Sequence, residues 1–294
     1  MTASVAPFGR ALCAMITPFT ADGDLDLDTA GKHAAGLVAD GCDGLVLSGT
    51  TGESPTTTDA EKTALLRAVR EAVGDGVPLV AGVGSADTRH TVQLAQQAEQ
   101  AGADGLLVVT PYYSRPPQAA VEAHFGRVAD ATGIPLMLYD IPGRTGTRIE
   151  PATLLRLAEH PRIAAVKDCA YDLLGSTKVI GATSLAYYSG CEELNLPLYA
   201  VGAAGYVSTV ANVAPRQLRE VIDAFDAGDT AEAARLNLLT APLAELMMAS
   251  GLPGTVTVKA LLDMGPVREP LQPAGREATD GLRRAYEELL AATR

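Results

Sequence analysis

No apolar stretch of this sequence approaches the roughly 18 unbroken residues that a membrane-crossing helix needs, so no helical membrane span is expected. Basic residues are scarce. The chain has 23 Lys and Arg against 35 Asp and Glu, a net charge of −12. A chain this acidic lacks the basic surface that nucleic acid or anionic lipid demands, although a few local cations can still set the field of a pocket for a small anionic substrate. Cysteine is reduced to Cys13, Cys42, Cys169 and Cys191, with no C-x-x-C pair and a spacing that suits neither a zinc knuckle nor a disulfide framework. Three of them lie in or beside apolar stretches, where a reduced thiol acts as a small hydrophobe. Met1–Pro18 has no basic leader and is broken by Pro7 and Arg10, unlike a signal peptide. A cytoplasmic protein is expected. His33, His90, His124 and His160 show no metal-ligand spacing and read as surface residues, so neither a metal nor an organic cofactor is expected.

What the chain does have is a recurring alternation of short apolar runs and amphipathic stretches. Strands are expected at Leu12–Thr17, Gly44–Ser48, Pro78–Val83, Gly105–Thr110, Pro135–Asp140, Ile163–Asp168, Leu185–Ser189 and Gly205–Ser208. Most are continuous in Val, Ile, Leu, Ala or Met, as in parallel strands covered on both faces. Helices are expected at Asp59–Val73, Thr91–Ala101 and Pro117–Thr132, each closing near a glycine. Eight strand–helix units in series predict a (β/α)8 barrel, a TIM barrel of the α/β class, over residues 1–227. Beyond Pro215 the strand signal stops, and Gln217–Ala227, Thr230–Met248, Thr255–Met264 and Glu277–Thr293 read as helices. Residues 228–294 are expected to form a helical extension packed on the barrel, with Gly265–Gly275 a solvent-facing loop. An open doubly wound sheet is the alternative fold; its support, Gly82-Val83-Gly84, lacks the third glycine of a dinucleotide-binding turn.

In such barrels the chemistry gathers at the C-terminal ends of the strands, and the unusual residues fall there. Lys167, one of only five lysines, ends the apolar run Ile163-Ala164-Ala165-Val166. An ammonium there loses hydration, which favours the neutral amine and makes it a nucleophile for a carbonyl; a lysine paired with Asp168 is the plainer alternative. Thr50, Tyr113 and Tyr139 place hydroxyls at neighbouring strand ends, where a chain of them could pass protons. Thr51, in Gly49-Thr50-Thr51-Gly52, offers hydroxyl and backbone donors to a carboxylate. Arg144 could clamp a second carboxylate in a bidentate manner.

Gly-Thr-Thr-Gly-Glu at 49–53, Tyr-Asp-Ile-Pro-Gly-Arg at 139–144 and the lysine at 167 resemble, in order and spacing, the family of dihydrodipicolinate synthase and N-acetylneuraminate lyase, class I pyruvate aldolases. The resemblance spans essentially the whole chain and is strongest to actinobacterial synthases. It implies that Lys167 forms an imine with pyruvate, whose enamine attacks L-aspartate 4-semialdehyde on the route to diaminopimelate and lysine. Tyr139, Thr50 and Tyr113 then match the proton relay, Thr51 the holder of the pyruvate carboxylate, and Gly190 and Val207 backbone positions beside the lysine. The match to Tyr113 enters from a neighbouring subunit in that family, so a homo-oligomer, dimer or tetramer, is implied. Arg144 sides with the synthases, because lyases carry a non-basic residue there. Another 2-oxo-acid aldolase or dehydratase of the same family, and a catalytically silent metabolite-binding barrel, are the competing accounts. Asp140 replaces the asparagine common after the relay tyrosine, and Tyr171 is bulky where small residues are usual. Asp59, Lys62, Ala86 and His90 stand where lysine-sensitive members bind their effector, so weak or absent feedback by L-lysine is expected.

Overall fold

The computed structural model describes residues 6–293. Its strands are β1 (Ala11–Ala14), β2 (Gly44–Leu47), β3 (Leu79–Gly82), β4 (Gly105–Val109), β5 (Leu136–Asp140), β6 (Ile163–Asp168), β7 (Ala186–Ser189) and β8 (Gly205–Ser208). Hydrogen-bonded neighbours follow chain order from β1 to β8 and the sheet closes into a barrel, the expected TIM-barrel class. The resolved ladders are parallel, as in β4 beside β5 and β6 beside β7. All but two of the strand residues are buried, because helices cover one face of the sheet and barrel side chains fill the other.

The helices are α1 (Leu27–Ala39), α2 (Asp59–Val73), α3 (Thr88–Gln100), α4 (Gln118–Asp130), α5 (Pro142–Thr145), α6 (Pro151–Leu157), α7 (Leu173–Ala182), α8 (Asn195–Ala200), α9 (Pro215–Asp226), α10 (Thr230–Met248), α11 (Gly254–Leu262) and α12 (Arg276–Ala292). Local chemistry sets their ends. Thr58 accepts from the Glu61 N–H, while the Glu61 carboxylate reaches back to the Thr58 N–H, a capping box that opens α2. Asp172 likewise caps α7 through the Gly175 N–H.

Backbone contacts divide the chain into two compact units, one running up to Arg10 and then over Pro78–Val207, the other Ala11–Val77 with everything from Ser208. The first holds β3 to β7, with Leu106, Val108, Leu138 and Val166 fully buried in it. In the second, α1 packs on α2, and α10 packs on both α9 and α12. The apolar stripe Leu218, Val221 and Ile222 of α9 and the buried Leu236, Leu243 and Met247 of α10 form its helical core. Each such side chain, fully buried, contributes about 1.5–3 kcal/mol.

Several expectations need correction. β1 ends at Ala14 rather than Thr17, because the Ile16 N–H is taken by the Asn212 side chain at 3.0 Å instead of a strand. The series of strand–helix units implies helices after β1, β6 and β7 without giving bounds for α1, α7 and α8, and the short α5 and the α6 that follow β5 have no separate expectation. Leu173–Ala182 carries two glycines and little amphipathic contrast, so tertiary packing overrides its propensity. His33 and His124 are buried, not surface residues, since they fall on the inward stripes Ala30–His33–Ala34–Leu37 and Val121–His124–Phe125–Val128. His33 Nε2 lies 3.2 Å from Asn212 Oδ1, and Thr88 Oγ1 lies 2.9 Å from His124 Nδ1. Burial keeps both rings neutral, His124 down to about 4. Within 265–275, Arg268 is held by several partners rather than facing solvent. Among the described residues no helix is long and apolar enough to cross a membrane.

Candidate active site

Two registers bring Lys167 and its neighbours together. Tyr139 pairs with Lys167 across β5 and β6, and Lys167 pairs with Tyr188 across β6 and β7. Residues paired in this way share one face of the sheet. Lys167 is buried, and its Nζ lies 4.5 Å from the centroid of the Tyr139 ring. The ring thus gives the ammonium form a cation–π partner and places its phenol next to the amine. Gly190 follows β7, and its N–H donates to Asp168 O at 2.9 Å. A Cβ on Gly190 would meet Cys169 Sγ and come within 2.8 Å of Lys167 Cε. The glycine is what lets the lysine stem lie flat against the β7 end.

The opposite face of the same strand ends carries a second layer. Asp140 pairs with Asp168, and both are buried. Asp140 Oδ1 accepts the Ile149 N–H at 3.0 Å, and Asp168 accepts the Ala170 N–H at 2.8 Å and the Ser176 hydroxyl. Burial raises the Asp140 carboxyl to about 7, against the Ile149 bond that lowers it. Cys169 and Cys191 are free thiols; the bond from Cys191, then burial, hold the Cys169 thiol well above its ordinary range. Tyr171 is 64% exposed and donates its hydroxyl to Glu193 Oε1 at 2.7 Å.

In the other unit the residues after β2 form a tight turn. Glu53 N–H donates to Thr50 O and Ser54 N–H to Gly49 O, both at 3.2 Å. The remaining carbonyls are taken by side chains, Thr51 O by the Thr255 hydroxyl at 3.0 Å and Gly52 O by the Thr17 hydroxyl at 2.7 Å. Gly52 leaves the turn its room, as a Cβ would come within 3.1 Å of Met15 O and Ser48 N, tighter than most side chains tolerate. The consequence is that the N–H groups of Thr50, Thr51 and Gly52 donate to no group among the described residues, while every carbonyl beside them is satisfied. Three successive free donors make an anion nest. Thr51 is buried with its hydroxyl 3.0 Å from that of Thr209, and Thr50 is exposed.

The other expected residues stand as follows. Val207 is buried in β8. Arg144 lies exposed on α5, the turn of helix directly after the Tyr139 strand. Tyr113 is 96% exposed, with a φ of +73°, a left-handed conformation that a bulky residue seldom adopts. Sequence reasoning missed Thr255 and Thr209, which hold the turn from more than 150 residues away and carry no local pattern. Among the described residues no group of three or more His, Cys, Asp and Glu converges as metal ligands.

A buried lysine against a tyrosine ring lies at the β6 end of one unit, and an anion nest follows β2 in the other. The chain is 72% identical over 291 residues to 4-hydroxy-tetrahydrodipicolinate synthase 1 of Streptomyces coelicolor, covering 97% of this chain and 95% of that one. The structure superposes on dihydrodipicolinate synthase DapA-2 of Bacillus anthracis with a TM-score of 0.92 at 38% identity, over 95% and 98% of the two chains. It also matches the chloride-inhibited dihydrodipicolinate synthase of Acinetobacter baumannii, solved with pyruvate, with a TM-score of 0.91 at 33% identity over 96% and 99%. Residues 7–289 match the model of the dihydrodipicolinate synthetase family, and the chain belongs to that family.

Proposed function

We propose that this protein is a cytoplasmic lyase that catalyses the 4-hydroxy-tetrahydrodipicolinate synthase reaction, condensing pyruvate with L-aspartate 4-semialdehyde in diaminopimelate and lysine biosynthesis. The observation that carries the reading is the buried Lys167 amine set 4.5 Å from the Tyr139 ring. In this reading the neutral Lys167 amine attacks the C2 carbonyl of pyruvate, and the carbinolamine loses water to give an imine. Loss of a C3 proton makes the enamine, whose C3 attacks the aldehyde carbon of the second substrate. The amino group of that substrate then adds to C2 and displaces Lys167, closing the ring and returning the enzyme. The net change is one water released per condensation.

These steps move protons at oxygen, at nitrogen and at C3 of the imine, which is the work assigned to the Tyr139, Thr50 and Tyr113 hydroxyls. Tyr113 does this in a neighbouring subunit of a homodimer or tetramer. The free N–H groups of the 50–52 turn, with the Thr51 hydroxyl, hold the pyruvate carboxylate. Gly190 and Val207 flank the bound oxo acid through their backbone. Arg144, exposed on α5, receives the carboxylate of the aldehyde substrate as a fork of two N–H donors. In this reading the barrel, expected over 1–227, and the helical extension, expected over 228–294, reach beyond the described residues 6–293 at both ends.

Borohydride reduction of the protein with pyruvate, followed by peptide mass spectrometry, tests the reading. A reduced pyruvyl adduct is expected on the Lys167 peptide of the native protein and on none in Lys167→Ala. A folded native protein that gains no adduct would remove the Schiff-base mechanism altogether.

A further inference from the structure

The turn that carries Thr50 and Thr51 is not self-supporting. Its Thr51 carbonyl is bound by Thr255, 204 residues later in the chain, and the same hydroxyl lies 3.5 Å from Thr50 O. One helical turn further along α11, Lys259 Nζ pairs with Glu53 Oε1 at 2.7 Å, with side chains only 3% and 1% exposed. Lys259 also donates to Pro266 O at 2.7 Å. The second oxygen of Glu53 accepts the Arg268 N–H at 2.8 Å. The Arg268 guanidinium in turn binds Gly23 O, Thr56 O and the Glu61 carboxylate. Phe19 is the spacer, with Lys259 Nζ and Arg268 Cζ each 4.1 Å from its ring centroid. Glu53 itself sits at a left-handed φ of +56°, a conformation a non-glycine residue keeps only when its surroundings hold it.

Burying two full charges costs more in lost hydration than an apolar pair of the same shape would, so stability alone does not account for the Glu53–Lys259 pair. What the pair adds is direction. A carboxylate held by one ammonium and one backbone N–H has a single orientation, and it fixes the last residue of the turn. Thr255 fixes the middle.

We propose that Thr255, Lys259 and Arg268 are positioning residues for the carboxylate-binding turn, and that they hold residues 49–53 so that three successive N–H groups stay free for one anion. The inference rests on the reading of Thr51 as the pyruvate-carboxylate site. It makes the C-terminal helices part of the first half-reaction. The second substrate, gripped elsewhere, should not sense them.

Thr255→Val removes the hydroxyl and keeps the shape, and Thr255→Ser restores the donor. Steady-state assays of the full-length enzyme, alongside borohydride trapping at graded pyruvate, separate the outcomes. Thr255→Val is expected to raise the pyruvate KM roughly tenfold, the scale of losing one buried hydrogen bond. The KM for L-aspartate 4-semialdehyde should move less than about twofold, and Thr255→Ser should return the pyruvate KM towards the native value. Glu53→Gln with Lys259→Met, which removes both buried charges together, provides an independent arm and should shift the same constant. Trapping of Thr255→Val and of the double variant at the native half-saturating pyruvate would overturn the positioning role and leave the Schiff-base reading intact. Equal rises in both KM values, unrescued by serine, would also overturn it, since that is a purely structural defect. No adduct in the native protein would instead overturn the parent reading.

Discussion

Asp140 follows Tyr139 and is buried beside Asp168, where an asparagine would carry no charge at all. Burial lifts its carboxyl to about 7 from the ordinary 3.8, so the folded protein holds this proton more tightly than the unfolded chain does. The stabilising contribution is therefore complete below about pH 4 and is lost as pH rises through 7. Asp140→Asn keeps an oxygen for the Ile149 N–H and removes the charge. It is expected to stabilise the protein by on the order of 1–3 kcal/mol at pH 8 and by nothing near pH 4, as read from thermal unfolding across that range. A gain that is constant with pH would count against this account. Lys62 offers a second test at this scale. Its half-buried ammonium donates to Ser54 O and Thr57 O, and by the family resemblance it stands where an effector of the same sign would have to approach. L-Lysine at millimolar concentration should leave the steady-state rate unchanged; strong inhibition below that would refute it.

At the scale of elements, the site depends on how closely β6 and β7 approach. A methyl group on Gly190 would collide with Cys169 Sγ and press within 3.0 Å of Lys167 Cγ, while the sheet around it stays paired. Gly190→Ala should leave the circular dichroism spectrum native and lower kcat/KM at least ~100-fold, because a displacement of about 1 Å at the nucleophile costs that much. Near-native turnover would show that the lysine stem does not need the space. The elements also differ in how far their own residues announce them. Ile163–Asp168, Asp59–Val73 and Thr230–Met248 have the bounds their patterns predict, since continuous apolar runs and a capping box are local signals. The end of β1 is decided by Asn212, 196 residues beyond Ile16, and leaves no local mark, whereas the burial of His33 and His124 follows from apolar stripes at helical spacing that composition alone does not reveal.

On the scale of the whole molecule the exposed residue Tyr113 is the most telling. An aromatic side chain at 96% exposure, on a backbone whose left-handed conformation costs about 1–3 kcal/mol, is poorly placed for an isolated chain. It is well placed if a second copy covers it, the arrangement proposed above. Light scattering of the purified protein should therefore find dimers or tetramers, and Tyr113→Phe should keep that assembly while lowering kcat roughly 10–100-fold. A fully active monomer would dismiss the shared site.

The sequence by itself determined the fold class and the order of strands, and it singled out Lys167 as the candidate nucleophile. Strand periodicity and the isolation of Lys167 at the end of an apolar run are properties of neighbouring residues. The motifs at 49–53 and 139–144 added the family, which the match over residues 7–289 bears out. Only the tertiary structure decided what holds those motifs in shape. Thr255, Lys259 and Arg268 reach the Thr50–Thr51 turn from the far end of the chain, and Gly190 makes room for a lysine on the neighbouring strand. Hydrogen bonds and ion pairs between residues so distant in sequence leave no periodicity behind, so they come into view only when the chain is folded.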